Sequence, residues 1–187
     1  MTLVEIIVVA GIVGIILVAI STFQKSVIVN NRYASDSLNA VQDARTIMRT
    51  MIRELRTASP SNNGAYPLAQ TGTSSITFFS DSNGDGVKEQ IRYYISGTTL
   101  KRGQIIPTGS PLAYNSGSET FSNLVKTLKN TATTSLFEYF DTAYTGTSSP
   151  LVQPVTTTNV RLIRINLVID KRTYTSQVTL RNIKDNL

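Results

Sequence analysis

Every residue from Ile6 to Ile20 is Ile, Val, Ala, Gly or Leu, and a single acid, Glu5, precedes them. Thr2, Leu3 and Val4 extend this run at one end, and Ser21, Thr22 and Phe23 extend it at the other. The stretch then approaches the roughly 20 residues that cross a bilayer as a helix. Three readings compete for it. A cleaved secretory signal has a basic start and a small-residue cleavage site. This chain has neither, and its first charge is negative. A buried helix of a soluble protein needs a large body around it, and 187 residues leave too little. A helix that lives in a membrane or in the core of a polymer remains, because exposing so long an apolar run to water is costly. The chain therefore divides into an apolar helix over 1–24 and a globular part over 25–187.

Glu5 is the informative residue of that helix. An ionised carboxylate in hydrocarbon costs about 2.5–3.5 kcal/mol even on lenient scales. At a membrane interface the cost is small. The sharper alternative gives Glu5 a designated cation. The nearest fixed cation carried by every copy is the α-amino group of another copy.

The run Met1-Thr2-Leu3-Val4-Glu5-Ile6-Ile7-Val8-Val9 resembles the mature N-terminus of type IV pilins and type II secretion pseudopilins. Thr2, Leu3, Glu5, the apolar run and Gly14 match that pattern. Residue one is usually Phe in the family and is Met1 here. The resemblance covers roughly the first 30 residues. It implies a leader-cleaved subunit whose prepilin peptidase has exposed Met1, with the Met1 amine N-methylated. Met1, Thr2 and Glu5 are then the assembly residues. The partners implied are further pilin copies in a homopolymer, the cytoplasmic membrane before assembly, the peptidase and a membrane assembly platform. The place implied is a single-span membrane subunit that later joins an extracellular surface filament. Many family members carry Pro near position 22. Here Thr22 stands there, so Gly11 and Gly14 become the weak points of the helix.

Beyond the apolar run, Gln24 to Thr57 contains no Pro and no Gly. Leu38, Val41, Ala44, Met48, Ile52 and Leu55 recur at spacings of three and four, an apolar stripe of helical period. Pro60 and the cluster from Ser59 to Gly64 end it. About 55 continuous helical residues measure roughly 80 Å at 1.5 Å per residue. Arg45, Arg49, Arg53 and Arg56 share another face. They form a solvated or subunit-facing flank, or an anion track for a nucleic acid. The second reading lacks the aromatic interleaving of single-strand binders. A net charge of +6 leaves room for an anionic partner without requiring one.

After residue 60 the pattern turns to strands, in keeping with 44 Ser and Thr residues. Ile76–Phe79, Gln90–Ile95, Thr98–Arg102, Leu136–Phe140, Val160–Ile169 and Thr173–Leu180 read as strands, and Phe121–Leu128 as a short helix. Residues 103–118 and 142–158 read as surface excursions. The expected class is α+β. A long N-terminal helix, its first half protruding and apolar, packs its second half on an antiparallel sheet, which is the pilin fold. The stretches Ile91-Arg92-Tyr93-Tyr94, Leu100-Lys101-Arg102 and Val178 to Asn182 resemble, more loosely, the larger minor pilins and J-type pseudopilins. That leaves two roles open: the main filament subunit, and a minor subunit that initiates or caps assembly in a pilus or type II secretion system.

The chain has no Cys and no His, which excludes thiolate metal sites, Ser-His triads and imidazole bases. The acids are scattered, so no enzyme is expected. One loop offers oxygen ligands. Asp81, Asn83 and Asp85 alternate, Gly86 stands sixth, and the Val87 carbonyl and Glu89 follow, as in the first half of an EF-hand loop. Arg92 occupies the twelfth position, where a bidentate Glu is required. The loop is thus a Ca²⁺ site lacking one ligand, or a hairpin turn that uses Asn-Gly and Asp-Gly for positive φ.

Overall fold

The computed structural model describes residues 2–131, 133–169 and 172–180, and for residues 33, 34 and 36–40 the backbone alone. The chain divides into two compact units, Met1–Val41 and Gln42–Leu187. One helix, α1, runs over Leu3–Arg56 and belongs to both. It has no helix breaker in its interior other than Gly11 and Gly14, and it passes through both unbroken. Its end is sealed by Thr57, whose hydroxyl donates to the carbonyls of Arg53 and Glu54 at 3.1 Å each. The Arg53 carbonyl also accepts the Thr57 N–H at 3.2 Å, so the hydroxyl adds to the last turn where helical donors run out.

Along the later turns of α1 the helical stripe does what its spacing predicts. Ala44, Met48 and Leu55 are buried, with Val41 and Ile52 half-buried. The side chain of Leu38 lies outside the described residues. Met51 and Glu54 are also buried, and neither was part of the expected stripe.

Two antiparallel sheets follow. The first has the order β1 (Leu68–Thr71), β2 (Ser75–Ser80), β3 (Glu89–Ser96), β4 (Thr99–Ile105), β5 (Thr120–Val125). The second has the order β6 (Phe137–Phe140), β7 (Leu162–Ile169), β8 (Arg172–Thr179). The expected α+β class is what the chain adopts, with two sheets in place of one. The turn residues Asp170 and Lys171 and the final Arg181 and Asn182 lie outside the described residues.

The expected short helix over Phe121–Leu128 is corrected to strand β5. Phe121, Leu124, Val125 and Leu128 have helical spacing, yet Gly103 pairs with Phe121 and Arg102 with Ser122 across an antiparallel ladder. The open edge of β4 needs partners for its backbone groups, and that need overrides a weak periodicity. Phe121 is left 64% exposed, which a core helix would not do.

A backbone bond from the Phe137 N–H to the Thr73 carbonyl at 3.0 Å links the two sheets, and a phenol adds to it. Tyr139 of β6 donates its hydroxyl proton to the Gly72 carbonyl at 2.8 Å and accepts from the Gly72 N–H at 3.1 Å. Phe78, Ile91 and Tyr93 from the first sheet, and Phe137, Ile163, Ile165 and Leu167 from the second, are buried.

Candidate functional site

The surface of the first unit is its most unusual feature. Every described residue of 2–32 is exposed. Leu3–Arg32 is long and apolar enough to cross a membrane, with a mean hydropathy of 3.0 over its 18 most apolar residues and none of that stretch buried inside the chain. Thirty residues at 1.5 Å each span about 45 Å, against a hydrocarbon core of about 30 Å. Two of its hydroxyls are satisfied by the helix itself. The Ser21 hydroxyl donates to the Leu17 carbonyl at 2.8 Å, and the Thr22 hydroxyl to the Ala19 carbonyl at 2.8 Å. Satisfying hydroxyls within the helix is what a dry environment requires.

Glu5 sits in the first turn of α1. Its Oε2 accepts from the Thr2 backbone N–H at 3.2 Å, so two of the three expected assembly residues touch within one chain. That contact covers one of the orphan amides at the helix start, where negative charge is also favoured by the helix dipole. Met1 lies outside the described residues. A Cβ added at Gly11 or Gly14 meets nothing within 4 Å, so both present bare helix surface.

The loop between β2 and β3 folds on itself. Asp81 accepts from the Gly84 N–H at 2.6 Å and the Gly86 N–H at 3.0 Å, and Lys88 stands 3.5 Å away. Partial burial opposes the charge of Asp81, but the two amides and the Lys88 ammonium outweigh it and lower the pKa. Asp85 accepts from the Val87 N–H at 2.7 Å, and Asn83 accepts from the Asp85 N–H at 3.0 Å. Gly84 and Gly86 take φ of +83° and +87°, the left-handed region that Gly tolerates best. Glu89 is fully buried, and its Oε2 accepts from the Ser82 N–H and hydroxyl at 2.8 and 3.0 Å. Among the described residues no three acids converge to hold a metal. The sequence rightly placed Asp81, Asn83 and Asp85 in one turn. It did not show that the turn's own amides would engage their oxygens.

Arg45, Arg49, Arg53 and Arg56 are all exposed along one side of α1. Arg53 and Arg56 fall in its last turn, where positive charge complements the helix dipole.

Sequence reasoning missed a buried ionic network. Glu54 of α1 receives two bonds from Arg102 of β4, Nε to Oε2 at 3.1 Å and Nη2 to Oε1 at 3.0 Å. The Tyr93 hydroxyl donates to Oε2 at 2.6 Å, and Gln104 holds Arg102 Nη1 at 2.8 Å. The available signal was an acid at position 54, between the core residues Met51 and Leu55. Burial, reinforced by the neighbouring Glu54 carboxylate, pushes the Tyr93 phenol far above its usual range. Burial does the same for Tyr139, despite its bond from Gly72.

These two phenols make the fold sensitive to alkali. Unfolded, each loses its proton near pH 10. Folded, each keeps it, so above pH 10 the native state binds more protons and stability falls as pH rises. The full contribution is present below about pH 10. Beyond it the loss is about 1.4 kcal/mol per pH unit for each phenol. Urea midpoints measured from pH 8 to 11 are expected to be flat and then to drop, and Tyr139→Phe is expected to shallow the drop.

No protein-family model matches the chain, and no curated protein matches it. The class defined by the architecture is therefore a coarse one. A long apolar N-terminal helix is followed by antiparallel sheet, an arrangement compatible with a pilin-like fold.

Proposed function

We propose that this chain is a structural subunit of an extracellular type IV pilus-like filament that polymerises through its N-terminal helix. The observation that carries the reading is the helix surface over Leu3–Arg32. It is apolar, wholly exposed in the single chain, and marked by one acid at position five. An apolar surface of this extent needs a dry partner. Lipid serves before assembly, when the subunit spans the cytoplasmic membrane once. Neighbouring helices serve afterwards, in the filament core. In that bundle Glu5 of one copy neutralises the Met1 amine of another, which fixes the axial register. A prepilin peptidase and a membrane assembly platform are the partners this route requires.

A second reading keeps the fold and changes the role to a minor pilin or pseudopilin that initiates or caps assembly. It is favoured by the looser resemblance carried by Ile91–Tyr94 and Leu100–Arg102, which lie on β3 and β4. The test is to shear surface filaments from producing cells, image them for helical order and identify their polypeptides by mass spectrometry. Ordered filaments with this chain as the dominant polypeptide support the main-subunit reading. A trace amount supports the second, and its absence from all filaments removes both.

A further inference from the structure

The face of the five-stranded sheet opposite Ile91 and Tyr93 carries a groove. Along one row, Gln70 pairs with Thr77, Thr77 with Arg92, Arg92 with Gly103, and Gly103 with Phe121. Residues paired across strands share a face, and Ile91 and Tyr93 alternate to the opposite one. The groove has a volume of about 440 Å³ and is lined by Gln70, Thr77, Gln90, Arg92, Ile105 and Glu119, among others.

Gly103 makes the groove. A Cβ there would meet Glu119 Oε1 at 1.9 Å, so a side chain at this position would displace Glu119. With glycine in place, the Glu119 carboxylate crosses β4 and takes a parallel pair of bonds from Arg92, the Nε bond measuring 2.9 Å. Glycine inside a strand often marks a place where something approaches closely, and here it is this carboxylate.

Three polar side chains in the groove have no protein partner among the described residues. The Thr77 hydroxyl is on a residue only 6% exposed, and it has no hydrogen-bond partner among the described residues. The same holds for the side-chain amides of Gln70 and Gln90. Gln70 is exposed and Gln90 half-buried, so both amides are open to a ligand and are met by water until one binds. Arg92 also keeps the protons on Nη1, which Glu119 does not use.

We propose that this groove binds a neutral saccharide. Arg92 and Glu119 cancel each other, so the site has no net charge to recruit an ion. Its groups alternate between donors and acceptors: two amides, a guanidinium edge, a carboxylate and a hydroxyl. A sugar hydroxyl both donates and accepts, and adjacent hydroxyls match the two-pronged edges of amide, guanidinium and carboxylate groups. Ile105 supplies an apolar contact for the carbon face of the ring.

The test applies the full chain, in phosphocholine micelles free of sugar headgroups, to an array of neutral di- to tetrasaccharides and their sialylated and sulfated counterparts. Binding to at least one neutral glycan is expected. The Gln70→Ala/Gln90→Ala double variant is expected to bind it about tenfold or more weakly. Its thermal midpoint should stay that of the parent, because neither amide supports the fold. The proposal is overturned if no neutral glycan binds, if binding is confined to acidic glycans, or if the double variant binds undiminished. None of those results bears on the filament reading, which rests on residues 2–32.

Discussion

A Glu5→Ala chain is expected to reach the membrane at the normal level and to form essentially no filaments on its own. Insertion should not suffer. The substitution removes the only charged side chain among the first 24 residues, and with it a cost of about 2.5–3.5 kcal/mol in hydrocarbon. Assembly should fail, because each incoming Met1 amine would then enter an apolar bundle without its counter-charge. A penalty of the same few kcal/mol at every joint lowers each addition step about 100-fold. Glu5→Gln separates this from a simpler role. Glu5 also accepts the Thr2 N–H at 3.2 Å, and a glutamine oxygen can do the same. If charge neutralisation governs assembly, Glu5→Gln fails like Glu5→Ala. If Glu5→Gln assembles normally while Glu5→Ala does not, helix capping is the role of this acid. Normal filaments from Glu5→Ala alone would sink the mechanism. The measurement is filament mass sheared from cells, set against membrane-inserted subunit.

The parts of the fold that were legible in the sequence are those with a sustained period. The apolar run and the 3–4 spacing of Ala44, Met48 and Leu55 specified α1 almost to its last residue. Strict alternation specified β3 and β7 within a residue or two. The failures have local causes. Strand β1 is four residues long, and only Leu68 of it is fully buried, so it carries no period at all. Strand β5 has helical spacing and is held by the edge of β4, a demand visible only once β4 is in place. The division into two sheets falls between Val125, where β5 ends, and Phe137, where β6 begins, and no periodicity announces it. Of the candidate sites, Glu5 was legible because an acid in hydrophobic surroundings demands a reason. The 81–89 turn was legible as a turn, since its glycines need positive φ. The groove was not, because it depends on Gly103 standing where Glu119 must pass, and that match joins strands through pairing rather than through neighbours in sequence.

Glu54→Ala is expected to destabilise the second unit by about 3–5 kcal/mol, among the largest losses any single substitution outside the apolar core should cause. Both side chains of the ion pair are mostly withdrawn from water, at 8% exposure for Glu54 and 16% for Arg102. Truncating Glu54 leaves the Arg102 guanidinium without its carboxylate and the Tyr93 hydroxyl without its acceptor, neither of which can turn readily to solvent. Glu54→Gln should cost less, since its amide oxygen still accepts from Tyr93. Replacing the pair together, Glu54→Leu with Arg102→Met, should cost clearly less than the sum of Glu54→Ala and Arg102→Ala, because no unpaired charge is left behind. Urea unfolding of the full chain in micelles, followed by tyrosine fluorescence, measures all four; a Glu54→Ala loss under 1 kcal/mol would contradict the argument. The network also sets register. Sliding α1 by one turn along the sheet moves Glu54 about 5.4 Å, beyond reach of the two Arg102 bonds it now receives. If the chain polymerises through the other end of this helix, as proposed, the network resists an axial pull on α1 together with the buried Met48, Met51 and Leu55. Glu54→Ala filaments are therefore expected to shed subunits under shear at lower force than the parent, even at temperatures where the variant remains folded.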